Sequence, residues 1–156
     1  MLALVKVDAA PGLVRLHAAP ADTNGRAGSA DFTIDAQLIP AGTMKMSGLL
    51  LGTIGPNGMA PKMAFTDEAE AVVSFDLYGT TTAAISTALE LALTPDGPAI
   101  KTGDLQLGKT SEAEHYLAVG KIDIKDLKPG DYVVRATFQI ADTPPGKAYR
   151  TLRKLK

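Results

Sequence analysis

The stretch Lys128-Pro-Gly-Asp-Tyr-Val-Val-Arg-Ala-Thr-Phe-Gln-Ile-Ala-Asp-Thr-Pro-Pro-Gly-Lys-Ala-Tyr-Arg-Thr-Leu-Arg153 decides the fold class of this chain. Apolar or aromatic side chains recur at every second position from Tyr132 to Ile140, with mostly polar side chains between them. One face of an extended strand can therefore be buried. The segment that follows predicts a type II turn, because Pro145 presets φ and Gly146 allows a positive φ. The stretch as a whole predicts a β-hairpin.

A similar order of residues occurs near the start of the chain. Pro11-Gly12 is followed by an alternating strand, a polar turn that contains Gly25, and a second strand from Ala30 to Leu38. In immunoglobulin-like sandwiches this order is typical of the last two strands of a domain. We therefore expect residues 1–39 to be the closing hairpin of an upstream sandwich or a docking hairpin, 40–43 a linker, and 44–156 a β-sandwich domain.

Strand-like runs separated by turn residues extend along the whole chain. They lie at about 3–7, 13–19, 30–39, 46–52, 70–79, 84–94, 98–107, 116–124, 131–140 and 148–154. This spacing predicts an all-β protein, an antiparallel two-sheet sandwich of immunoglobulin or fibronectin III type with an extra N-terminal β-hairpin. Tyr132, just after Pro129-Gly130, fits the tyrosine corner of such domains. Residues 82–93 stay open between strand and helix, because alanines favour a helix and Thr82 and Ile85 favour a strand.

Composition limits the partners that we expect. The chain of 156 residues has 16 basic and 17 acidic side chains, a formal net charge of −1 and no cysteine. The chain has no excess of positive charge, so its composition does not favour binding to nucleic acid or to an anionic membrane. The lack of cysteine excludes disulfides, Cys-ligated zinc and a thiol nucleophile. Met1 to Val7 has neither a basic n-region nor a long apolar h-region, so we expect no signal peptide and no membrane insertion. The chain is then either cytosolic or cut from a larger protein.

Five motifs of turn glycines and strand residues follow one another in a defined order: Pro11-Gly-Leu-Val-Arg-Leu16, Gly25-Arg-Ala-Gly-Ser29, Ser47-Gly-Leu-Leu-Leu-Gly52, Phe75-Asp-Leu-Tyr-Gly79 and Leu127 through Lys154. Their order resembles the C-terminal β-sandwich region of the VWFA-related exported proteins of acidobacteria. The resemblance covers most of the chain and implies an exported or periplasmic accessory domain, used for spacing or contact. It carries over no metal residues, because that family's metal site lies in a separate VWFA domain, and this chain has no Asp-x-Ser-x-Ser run.

One loop gathers groups that could carry out catalysis. Thr110-Ser-Glu-Ala-Glu-His-Tyr116 contains a hydroxyl, two carboxylates and an imidazole. On an extended segment, Ser111 and His115 would share a face and Glu114 would face away. The catalytic candidates are therefore His115, Ser111 and Glu114, and the alternative is a solvated hairpin loop. The chain has no Gly-x-Ser-x-Gly nucleophile elbow.

Two acidic segments offer oxygen ligands of the kind that Ca²⁺ prefers. The first lies in the turn of the N-terminal hairpin, where Arg26 adds a positive charge and an ordinary Asx turn is the alternative. The second precedes the strand at Ala71, where the alternative is a solvated strand edge that discourages pairing. The metal candidates are Asp22, Asn24 and Asp31 in the first segment, and Asp67, Glu68 and Glu70 in the second.

These observations favour a non-catalytic interaction or spacer module of a larger exported protein, with contacts through a sheet edge or the N-terminal hairpin. The expected partner is another protein or a second copy of the chain, which would give a homodimer, and no cofactor is expected. The alternative function is a small Ca²⁺-dependent hydrolase of an ester or lactone, which would use the loop carboxylates and His115.

Overall fold

The computed structural model describes residues 7, 10, 12–21, 23–56 and 58–156. The chain divides into two compact units, residues 1–38 and residues 39–156, which we describe separately. The strands are β1 Leu13–Ala18, β2 Ala30–Asp35, β3 Ile39–Ala41, β4 Met44–Met46, β5 Leu50–Gly55, β6 Gly58–Pro61, β7 Ala64–Phe65, β8 Glu70–Tyr78, β9 Ile85–Ala92, β10 Ala99–Lys109, β11 His115–Asp123, β12 Gly130–Ile140 and β13 Gly146–Lys154. None of the described segments is a helix long and apolar enough to cross a membrane.

The smaller unit contains the predicted N-terminal hairpin. β1 and β2 pair antiparallel, with Val14 opposite Ile34 and Leu16 opposite Phe32. Directly opposed residues project to the same side of an antiparallel pair, so the apolar side chains share one face. Phe32 is 54% exposed and Ile34 is 46% exposed. The predicted strand at 3–7 lies outside the described residues, apart from Val7.

The larger unit is built from one continuous ladder of strands, in the order β3-β4-β8-β11-β10-β9-β12-β13-β7, with β5 and β6 beside β8. β4 and β5 pair with successive parts of β8, so they act as one strand interrupted at Ser47. β10 belongs to both halves of the ladder, because its first part pairs with β9 and its second part, from Asp104, pairs with β11. The ladder curls at this strand, and the two halves form an all-β structure, as predicted, in which every pairing is antiparallel except the parallel contact of β7 with β13.

The inner faces of the two halves enclose the hydrophobic core. Its largest fully buried side chains include Phe65, Phe75 and Phe138, all at most 1% exposed. Residues 85–92 form strand β9, which resolves the open segment 82–93 in favour of a strand. The predicted tyrosine corner is confirmed, because the Tyr132 hydroxyl donates a hydrogen bond to the Lys128 carbonyl oxygen at 2.8 Å.

Two expectations about local structure need correction. Residues 40–43 do not form a free linker, because Pro40 and Ala41 belong to β3, which pairs with β4, and Ala41 is fully buried. Gly146 does not supply a positive φ to the last hairpin; Ala141, with a φ of 42°, does so instead. Gly146 opens β13, where an added Cβ would lie 2.7 Å from the Ala41 Cβ. The close approach of β13 to β3 therefore requires a glycine at this position.

Candidate functional site

The candidate site lies where β11 begins beside the end of β8. His115 is the first residue of β11 and stands directly opposite Tyr78, near the end of β8. Asp76 lies two residues before Tyr78 and projects to the same face, because side chains alternate along a strand. The register of this strand pair therefore places an imidazole, a phenol and a carboxylate side by side on the outer face of the sheet.

The imidazole of His115 lies between two carboxylates. Its Nε2 is 2.8 Å from Asp76 Oδ1, and its Nδ1 is 3.2 Å from Glu112 Oε2. The ring of Tyr78 stacks on the imidazole with a centroid distance of 4.9 Å and an interplanar angle of 10°. The His115 side chain is only 16% exposed, whereas the Glu112 side chain is 72% exposed, so the imidazole is the shielded member of the cluster.

The loop between β10 and β11 holds Glu112 in place. The backbone N–H and the hydroxyl of Thr110 both donate to the His115 carbonyl oxygen, each at 3.1 Å. The Glu112 N–H donates in turn to the Thr110 hydroxyl oxygen at 3.2 Å. Glu114 has a φ of 58°, and its carbonyl oxygen accepts a hydrogen bond from the Gly79 N–H at 2.8 Å. The loop is thereby tied to the end of β8.

Asp76 is held from the opposite side by the segment between β4 and β5. Ser47 and Asp76 exchange two hydrogen bonds, because the Ser47 N–H donates to the Asp76 carbonyl and the Asp76 N–H donates to Ser47 Oγ, both at 2.9 Å. Ser47 Oγ donates to the Gly48 carbonyl, also at 2.9 Å. The hydroxyl of Ser47 therefore has a structural role and is already engaged.

The arrangement limits the chemistry that His115 can carry out. A general base needs a nitrogen lone pair directed at the group that loses a proton. Both ring nitrogens face carboxylate oxygens of the chain itself. Burial, assisted by the negative charges of Asp76 and Glu112, raises the pKa of Tyr78, which keeps the phenol neutral. The cluster has the properties of a fixed structural contact between a loop and a sheet.

The other predicted catalytic residues lie on the same loop but do not complete a triad. Ser111 is exposed, and its hydroxyl is not among the groups that contact the His115 ring. Glu114 is also exposed and contributes its backbone carbonyl to the turn. Sequence reasoning missed Asp76, because 39 residues separate it from His115 and only the strand register brings them together.

The first group of metal candidates lies in the N-terminal hairpin. Asp22 lies outside the described residues. Asn24 is an exposed residue of the turn. Asp31 is on β2, where its Oδ1 lies 3.0 Å from His17 Nδ1 and 3.8 Å from Arg15 Nε. A carboxylate with a guanidinium and an imidazole beside it already has partners for its charge.

The second group of metal candidates forms separate ion pairs with lysines. Glu68 Oε1 pairs with Lys62, and Glu68 Oε2 accepts the Thr66 N–H at 2.8 Å. The hydrogen bond from Lys62 lowers the pKa of Glu68. Glu70 pairs with Lys121 at 3.0 Å, and Asp67 is exposed. Across the described part of the chain, no three His, Asp or Glu side chains come together in a way that could hold a metal ion.

A groove of about 490 Å³ crosses the outer face of β10 and β11. Its charged lining consists of Glu70, Asp104, Lys121 and Asp123. Most of these charges are neutralised locally, because Lys121 pairs with Glu70 at 3.0 Å and Lys101 pairs with Asp123 at 2.8 Å. The groove is therefore a polar surface with internal ion pairs.

Comparisons with known proteins add little to these observations. No protein-family model matches the chain, and no curated protein matches it. Among solved structures, the chain is similar to a DUF4426 family protein from Pseudomonas aeruginosa PAO1, with 11% sequence identity and a TM-score of 0.40. The match covers 75% of this chain and 92% of that protein.

Proposed function

We propose that this protein is a non-catalytic β-sandwich module that makes contacts with other protein surfaces, and that the N-terminal hairpin is its principal contact element. The observation that carries the proposal is the exposure of Phe32 and Ile34 on the apolar face of that hairpin, at 54% and 46%. Two strands alone are marginally stable in water. Such a hairpin gains stability when another surface covers its apolar face.

The chemistry of the hairpin supports a contact role. The face defined by Val14, Leu16, Phe32 and Ile34 has no charged side chain, whereas the opposite face has Arg15, His17, Asp31 and Asp35. This amphipathic division is typical of a strand pair that has one face against protein and one face in water. The backbone groups on the outer edges of such a pair can also join another sheet.

The geometry at His115 favours this function over hydrolysis. Both ring nitrogens contact carboxylates, at 2.8 and 3.2 Å, and no hydroxyl among the described residues is hydrogen-bonded to the ring. The acidic candidates Glu68 and Glu70 pair with two different lysines. These contacts support a structural role for both groups. The resemblance to VWFA-related proteins adds the proposal that the module belongs to an exported protein and adopts an immunoglobulin or fibronectin III type of sandwich.

The test has two parts, and the first concerns the hairpin. Phe32→Ser is compared with Thr33→Ser, which is a matched substitution on the opposite face of the same strand. We expect Phe32→Ser to lower either the association of the chain, measured by sedimentation equilibrium, or its thermal midpoint, whereas Thr33→Ser leaves both unchanged. If neither quantity responds to Phe32→Ser, the hairpin is not a contact element.

The second part tests the absence of catalysis. Turnover of p-nitrophenyl esters and lactones is measured with added Ca²⁺ and with EDTA, on the wild-type chain and on His115→Ala. We expect no turnover above the buffer rate in any of these conditions. Turnover that disappears with EDTA and with His115→Ala would establish the hydrolase instead.

A further inference from the structure

The outer edge of β13 is open over most of its length. β12 pairs with β13 along one side from Gly146 to Lys154, but on the other side β7 pairs only with Arg153 and Lys154. The Arg153 N–H donates to the Met63 carbonyl at 2.8 Å and therefore points away from β12. Because N–H directions alternate along a strand, the N–H groups of Tyr149 and Thr151 also point to this edge. No strand of the described residues pairs with them.

The sheet opposite this edge leaves apolar side chains uncovered. A cavity of about 180 Å³ lies beside β13 and is lined by Leu50, Leu51, Pro61, Lys62, Met63 and Arg150. Leu50 is 43% exposed and Met63 is 55% exposed. Beyond β13 this half of the ladder has only the two-residue strand β7, so part of the facing half is left uncovered. A further strand on β13 would cover this cavity and the exposed side chain of Met63.

The open part of the edge carries two basic side chains, Lys147 and Arg150, and no acidic one. Between Gly146 and Lys156 the chain has five basic residues and no acidic residue. Arg153 is neutralised by Asp131, with Nε 2.7 Å from Oδ1. Arg150 donates a hydrogen bond to the sulfur of Met63 at 3.2 Å and forms no ion pair with any described residue. The edge therefore favours a strand that alternates apolar and acidic side chains.

β2 is a strand of this kind. Its sequence Ala-Asp-Phe-Thr-Ile-Asp alternates apolar residues with Asp31, Thr33 and Asp35, and it has no basic residue. Among the described residues, β2 is paired on one side only, with β1. We propose that β2 from the hairpin of a second copy of this chain adds to the open edge of β13. This inference rests on the proposed contact function and names the partner of the hairpin and the surface that receives it.

An antiparallel register makes the two strands complementary. With Thr33 opposite Tyr149, Asp35 stands opposite Lys147 on the outer side, and Phe32 stands opposite Arg150 on the inner side. Phe32 and Ile34 then cover the apolar cavity, and the guanidinium of Arg150 meets an aromatic ring. The two copies exchange hairpins reciprocally, so each dimer contains this contact twice, as two-fold symmetry requires.

The experiment uses full-length variants that disable one side of the contact each. Tyr149→Pro removes an outward N–H without removing a hydrogen bond to β12, and prolines are tolerated at such edge positions. Tyr149→Thr is its matched control, because it changes the side chain and keeps the N–H. Phe32→Asp disables the hairpin. Thermal unfolding of each variant first confirms that it is folded, and sedimentation velocity over a range of concentrations then measures the dimer dissociation constant.

We expect a concentration-dependent dimer for the wild type and Tyr149→Thr, and a dissociation constant raised at least about tenfold for Tyr149→Pro and for Phe32→Asp, since each loses two contacts per dimer. A mixture of Tyr149→Pro with Phe32→Asp retains one intact contact per heterodimer, because the hairpin of the first variant meets the β13 edge of the second. The mixture should therefore form dimers more readily than either variant does alone. Lys147→Glu should weaken the dimer about two- to fivefold, and Asp35→Lys in the same chain should restore it.

Three outcomes would overturn this inference. A wild-type chain that stays monomeric at all concentrations rejects the second copy as the partner, while a lower thermal midpoint of Phe32→Ser would still support the hairpin as a contact element. If Phe32→Asp weakens the dimer and Tyr149→Pro does not, β13 is not the receiving surface. The proposed function of the hairpin as a contact element is unaffected by that result. A failure of the two variants to form heterodimers rejects the pairing of β2 with β13, because the mixture retains one such contact.

Discussion

Replacement of Gly120 by alanine tests how tightly the ladder curls at β10. Gly120 is buried on β11, opposite Leu105 of β10. A Cβ at this position would lie 2.6 Å from the Asp104 carbonyl oxygen and 2.7 Å from Leu89 Cδ2. Leu89 can rotate away, but the carbonyl belongs to the backbone of the strand that joins the two halves of the ladder. One of the strands must therefore shift.

The expected change in the free energy of unfolding combines two effects of opposite sign. Overpacking in a dense core costs about 1–3 kcal/mol. Alanine also reduces the conformational freedom of the unfolded chain, which returns about 0.4–1 kcal/mol. We expect Gly120→Ala to lower the free energy of unfolding by about 1–2 kcal/mol. Gly108→Ala is the matched control on β10, because an added Cβ there meets only the Leu117 carbonyl oxygen, at 3.9 Å. The control should retain or slightly exceed wild-type stability.

Urea unfolding followed by circular dichroism measures both variants. The midpoint should fall for Gly120→Ala while the slope with urea stays constant, since the surface exposed on unfolding hardly changes. The explanation by close approach is wrong if Gly120→Ala is as stable as the wild type. It is also wrong if Gly108→Ala loses as much as Gly120→Ala, because the loss would then reflect the general cost of changing a glycine in these strands.

Three further predictions concern the site, an exposed ion pair and the core. His115→Gln and Asp76→Asn, measured singly and together by urea unfolding at neutral pH, should show a coupling of about 1–2 kcal/mol, and additive effects would exclude a significant contact between the two side chains. Arg153 lowers the pKa of Asp131 below its ordinary value of 3.8. The stability that Asp131 contributes is therefore present above that value and lost as the pH falls through the lowered pKa. Thermal midpoints of the wild type and Asp131→Asn should accordingly differ at about pH 6 and converge in acid, and a constant difference would contradict this. Phe138→Ala removes a fully buried ring and should cost about 3–5 kcal/mol in the same urea measurement, whereas a loss below about 1 kcal/mol would mean that the ring is not part of a close-packed core.

Local patterns predicted the long strands of this fold well. Alternation from Tyr132 to Ile140 predicted β12 within one residue at its start, and Pro129-Gly130 before Tyr132 predicted the tyrosine corner. These features depend on neighbours in sequence. β3, β6 and β7 were missed because strands of two to four residues are too short to show a period. Their positions depend on pairing with distant strands, which a local pattern does not contain.

Gly146 shows that a glycine can be required at a position for either of two physical reasons. Sequence reasoning placed it at the positive-φ position of a turn, which is the commonest reason for a glycine after a proline. In the structure its space is limited by Ala41 and by Met46 Sδ, which an added Cβ would approach to 2.9 Å. That limit arises from a contact between β13 and strands about 100 residues earlier in the chain. Only the tertiary fold distinguishes the two explanations.

The tertiary structure also changes the interpretation of His115. Its sequence neighbours Ser111 and Glu114 suggested a catalytic loop, yet the contacts of the imidazole are to Asp76 on another strand and to Glu112. An imidazole whose two nitrogens each face a carboxylate oxygen joins the loop to β8. The features that remain unsatisfied lie elsewhere: the apolar face of the hairpin, and the unpaired edge of β13. The His115 imidazole, with both ring nitrogens against carboxylates of the same chain, stabilises its own fold, whereas an exposed apolar hairpin face or an unpaired strand edge gains stability only when another strand covers it. These two exposed features are therefore where we propose that another protein surface binds.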